Sequence, residues 1–68
     1  MNTNQTTEIT TVIDYAYPTL MAEKALRNLH EAALANNYAD AREWAAEAVV
    51  RIMDAHAALL VMEDRGRR

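Results

Sequence analysis

From Tyr38 to Asp64 the polar positions recur on one narrow face, and nearly everything else is apolar. At about 100° per residue, Asp40, Glu43, Glu47, Arg51, Asp54 and Arg65 project together. One apolar stripe reads Ala41, Ala45, Ala48, Ile52, Ala55, Leu59 and Met62; a second reads Ala46, Val49, Met53, His56 and Leu60. Trp44 flanks the first stripe, and Val50 and Ala57 flank the second. The apolar arc covers roughly 240°, whereas a helix packed on one neighbour needs only about 100°. The pattern predicts a helix over 38–64 with more apolar surface than one neighbour can cover.

Upstream, the spacing predicts a second helix over 18–35. Ala22, Ala25, Leu26, Leu29, Ala32 and Ala33 fall on one face. Glu23, Lys24, Arg27, His30 and Glu31 lie opposite. Glu23–Arg27 and Glu47–Arg51 are oppositely charged pairs at i, i+4 in the favourable orientation. Leu20 and Leu34 break the pattern by sitting two heptads apart on the polar face, which hints at a second contact surface.

Residues 1–7 are polar and expected to be disordered or extended. In the next ten, Ile9, Val12, Ile13 and Ala16 have helical spacing, while Ile13, Tyr15 and Tyr17 alternate as in a strand. A lone strand has no partner here, so a short helix is expected over 8–17. Pro18, the single proline, ends or kinks it and suits the first turn of the following helix.

Asn36-Asn37 interrupts the alanine-rich run. Asparagine tolerates the left-handed conformation, so Asn36 can end the first helix. Asn37 can cap the second, with Asp40 as a capping-box-like partner three residues on. Gly66 and the arginines around it mark the expected C-terminal stop.

The expected helices are about 18 and 27 residues long, roughly 27 Å against 40 Å at about 1.5 Å per residue. Folded back on each other, they leave "AHAALLVM", residues 55–62, overhanging. The N-terminal segment could fold over part of it but not over the Val49, Met53 and Leu60 side, for which a second chain is the economical cover. The expected architecture is all-α: a short N-terminal helix, a proline kink and an antiparallel hairpin of two longer helices. The hairpin is one domain over 8–65 with a basic tail at 66–68, assembled into a dimeric four-helix bundle or a higher helical bundle. The expected oligomer interface is Val49, Ile52, Met53, His56, Leu59 and Leu60.

Composition agrees with helix. Alanine dominates the apolar 51%, and there is one glycine and one proline in 68 residues. The absence of cysteine excludes disulfides and thiolate metal sites. Unstapled chains of this size rely on oligomerisation or very regular packing. The net charge of −3 argues against non-specific nucleic-acid binding, which needs a basic field. "AHAALLVM" is too short to span a bilayer. "MNTNQTTEITT" lacks the basic and apolar regions of a signal peptide. A cytoplasmic location is therefore expected.

Catalytic chemistry finds no support. The chain has no serine and no cysteine, so no nucleophile triad of those residues can form. "HEAAL", from His30, lacks the second histidine of the zinc-protease pattern. There is no phosphate-binding glycine loop, and neither a metal nor another cofactor is expected. His56 lies among Met53, Leu59 and Leu60 and reads as an interface residue or as a pH switch. The stripe Asp40, Glu43, Glu47 and Asp54 reads as a solvated face or as a docking site for a basic groove. Tyr15 and Tyr17, beside Pro18, either pack the kink or anchor a partner.

The stretch "LANNYADAREWAAEAV" is similar to the junction of a tetratricopeptide hairpin, with Tyr38 to Ala41 matching its Tyr-x-x-Ala. Only one junction is present, so no peptide-groove function follows. In size, alanine-rich hairpin, Asn-Asn turn and charged tail, the chain resembles short helical-hairpin proteins encoded by tailed phages and prophages. That resemblance implies an accessory protein that binds a host factor or a defence component in the host cytoplasm.

The expected function is a non-enzymatic, homo-oligomeric protein-interaction module that inhibits or modulates a partner protein. Its partner-facing candidates are Tyr15, Tyr17, Leu20 and Leu34. The alternative is an oligomer that sequesters a small ligand such as a nucleotide. A nucleic-acid-associated regulator is a third, weaker alternative.

Overall fold

The computed structural model describes residues 14–66. Two α-helices, α1 (Ala16–Leu34) and α2 (Tyr38–Gly66), pack against each other. The three-residue connection makes them antiparallel, as in any short helical hairpin. The expectations for residues 1–7, for 8–13 of the short helix, and for the last two tail residues lie outside the described residues.

α1 begins two residues before the expected start. Asp14 Oδ1 accepts the Ala16 N–H at 3.1 Å. The Tyr15 carbonyl accepts both the Thr19 N–H at 3.0 Å and the Thr19 hydroxyl at 2.8 Å. Pro18 sits inside this first turn, where its missing N–H would have had no intrahelical acceptor. Ala16 and Tyr17 are therefore continuous with the helix that Pro18 was expected to open.

The asparagines build the turn. Asn36 has a φ of 62°, the left-handed region. Its N–H donates to the Ala33 carbonyl at 3.0 Å, and the Asn37 N–H donates to Ala32 at 2.8 Å. These two bonds are the Schellman arrangement, which satisfies carbonyls that a helix end leaves free. Asn37 then caps α2. Its Oδ1 accepts the Asp40 N–H at 3.2 Å, and its Nδ2 donates to Asp40 Oδ2 at 3.0 Å. The Tyr38 hydroxyl donates to Asn36 Oδ1 at 3.1 Å, tying both halves together. At the far end α2 runs to Gly66, where the stop was expected, and Gly66 does not take a positive φ.

The seam between the helices is made of small residues. Pro18, Ala22 and Ala25 of α1 and Ala48 of α2 are buried. Alanine against alanine allows helix axes to approach toward the short end of the usual range, about 8–10 Å. That close approach turns the larger side chains outward. Leu26, expected on the packed face, is 49% exposed. Ile52 and Leu59, part of the stripe headed by Ala41, are also exposed. Of the two expected i, i+4 ion pairs, Glu47–Arg51 closes at 2.7 Å and Glu23–Arg27 does not close.

Candidate interaction surfaces

Ala25 is the most buried residue of α1 at 1% exposure, and Ala48 the most buried of α2 at 3%. In an antiparallel pair of right-handed helices, equal angular steps from the two seam residues turn toward the same side of the hairpin. Leu26 and Val49 each follow their seam alanine by one residue. Ile52, Met53, His56, Leu59 and Leu60 continue on Val49's side, within an arc of about 120° about α2. All of them are exposed. The hairpin thus presents one broad apolar face, running from Val49 to Leu60 on α2 and joined by Leu26 from α1.

This face holds all six expected interface residues, and Leu26 was not anticipated among them. The uncovered surface is lateral. It extends along the hairpin and is not confined to an overhang at 55–62. Among the described residues no large side chain is fully buried, while thirteen large apolar side chains are exposed.

The opposite side differs in shape and charge. A cleft of about 300 Å³ opens between the start of α1 and the second half of α2. Tyr17, Pro18, Ala57, Ala58 and Val61 supply its apolar walls, and Asp14, Arg51 and Asp54 its polar groups. Arg51 Nε donates to Glu47 Oε2 at 2.7 Å, and Arg51 Nη1 lies 3.8 Å from Asp54 Oδ2. The hydrogen bond to Glu47, and then its charge, push the Arg51 pKa above its ordinary value, so the guanidinium stays ionised. Glu47 and Asp54 therefore engage the one cation of the cleft, and Asp14 adds a further carboxylate to its lining. Such a cleft suits neutral or cationic groups and opposes phosphate.

The four partner-facing candidates do not form one patch. Tyr17 lines the cleft. Tyr15, two positions earlier, projects about 200° away around the helix. Leu20 and Leu34 lie on the outer side of α1, about 21 Å apart along its axis, with Arg27 between them on the same line. All four are exposed.

Among the described residues no group of histidine, aspartate and glutamate could hold a metal ion. No described helix is long and apolar enough to cross a membrane. No protein-family model, curated protein or solved structure matches the chain.

Proposed function

We propose that the chain is a non-enzymatic, homo-oligomeric interaction module. The supporting observation is the inverted distribution of side chains. The seam buries alanines and a proline, and the leucines, valine, isoleucine and methionine of the lateral face stay outside. Burial of apolar area stabilises a fold by roughly 25 cal/mol per Å². An alanine seam offers little such area to set against the conformational entropy of more than fifty ordered residues. A chain that folds with this surface does so because another surface covers it.

The second partner is a protein engaged from the other side. The cleft at Tyr17 offers an aromatic wall, a proline and a carboxylate rim. It fits an apolar anchor flanked by a basic residue. Within this reading, the resemblance to phage hairpin proteins makes a host or defence protein the class of target, and the module acts by occluding it. Sequestration of a nucleotide draws no support from this cleft, whose charge is wrong for phosphate.

Size-exclusion chromatography with light scattering tests the assembly. The expected mass is a multiple of 7.7 kDa. A folded monomer at micromolar concentration would remove the basis of the reading. Affinity capture from host lysate, with wild type and with Tyr17→Ala, tests the partner. A protein retained by the wild type and lost by the variant is the expected result; equal recovery by both contradicts the cleft assignment. A thermal shift with nucleotides would instead favour sequestration.

A further inference from the structure

We infer that the lateral face of α2 is covered by α2 of a second copy, running antiparallel, with the two-fold axis beside Met53. The inference rests on the homo-oligomeric reading and specifies its geometry.

The charges at the two ends of the face carry it. Arg42 projects onto this side of α2 before the apolar strip begins. After the strip ends, Glu63 projects near the middle of this face and Asp64 at its Met53 edge. The strip between them carries no aspartate, glutamate, lysine or arginine. An antiparallel partner brings Arg42 of each copy to the carboxylates at residues 63 and 64 of the other, twice by symmetry. A parallel partner in register brings like charge to like charge at both ends, which opposes assembly. Glu63 and Asp64 have interactions of their own, but a carboxylate accepts more than one donor.

The same register matches side-chain sizes. With Arg42 opposite 63 and 64, Leu60 comes opposite Ala45 and Ala46, a large residue over two small ones. Val49 meets His56, and Met53 meets its own copy at the axis. The midpoint of the 29-residue α2 is Ile52, so this register overlaps the two helices along almost their whole length. The part of α2 that reaches past the start of α1 then lies against the first turns of the partner's α2. Antiparallel helix dipoles add to the preference.

Single-cysteine cross-linking tests this in the full chain, which has no native cysteine. Oxidised Met53→Cys is expected to form a disulfide dimer. Leu60→Cys alone is expected to stay unlinked, while a mixture of Ala46→Cys and Leu60→Cys links. Linking by Leu60→Cys alone would indicate a parallel pair and overturn the inference. Independently, Arg42→Glu is expected to raise the dissociation constant about tenfold. Adding Glu63→Arg and Asp64→Arg to that variant is expected to restore it, with circular dichroism verifying helicity throughout. An oligomeric wild type with neither linkage at position 53 nor charge-swap rescue overturns the antiparallel register and leaves the homo-oligomer standing. A folded monomeric wild type overturns both.

Discussion

Leu26 and Val49 stand on the same face of the hairpin, each one residue beyond the seam alanine of its helix. Neither is covered among the described residues, at 49% and 56% exposure. On a monomer their replacement by a charged residue would be a surface change worth within about 0.5 kcal/mol. In an assembly built on this face the same change buries or exposes a charge. Leu26→Glu and Val49→Glu are each expected to lower stability by about 1.5–3 kcal/mol and to shift the mass toward monomer. Chemical denaturation with parallel light scattering reads both effects. Leu34→Glu, on the outer side of α1 and 71% exposed, is the matched control and is expected to change neither.

The seam itself requires small residues. Ala25 is almost fully enclosed, and Ala25→Leu would force the axes apart. The expected loss is about 1–3 kcal/mol, seen as a lower denaturation midpoint. A neutral result at this position would mean that the helices do not approach through Ala25 and Ala48.

The turn yields opposite effects at neighbouring positions. Asn36 holds a φ of 62°, which alanine adopts at a cost of about 1–2 kcal/mol and glycine adopts freely. Asn36→Ala is therefore expected to destabilise, and Asn36→Gly to be nearly neutral despite the lost Tyr38 hydroxyl contact. Thermal unfolding distinguishes the two.

At Asn37 the side chain is what counts. It caps α2 through Asp40. Asn37→Ala is expected to cost about 1 kcal/mol, while Asn37→Ser should retain most of the cap. Equal unfolding midpoints for the two variants would show that the cap contributes nothing.

These positions also show what the sequence makes legible. The Asn36-Asn37 turn was readable because its chemistry is local: a left-handed residue, a cap and an acceptor three residues on. The ends of both helices fell within two residues of expectation for the same reason. The identity of the seam was harder. Periodicity marks which positions are apolar, and on α2 that arc is about twice what one neighbour needs. It does not say which part of the arc faces the partner. Leu26 shared an apolar face with Ala25, and Ile52 shared a stripe with Ala48. Backbone approach selected the alanines and excluded the larger residues. The cleft was less legible still, because Asp14 and Tyr17 are far from Arg51 and Val61 in sequence and meet them only when the hairpin closes.

The concentration dependence of thermal unfolding tests most directly whether this lateral face is covered by association. Folding coupled to association makes Tm rise with protein concentration. The expected result is a Tm, followed by circular dichroism, that increases steadily across a hundredfold range of chain concentration, about two decades, and flattens in Val49→Glu. A cooperative transition at one fixed Tm over that range, from a species of monomer mass, would contradict it.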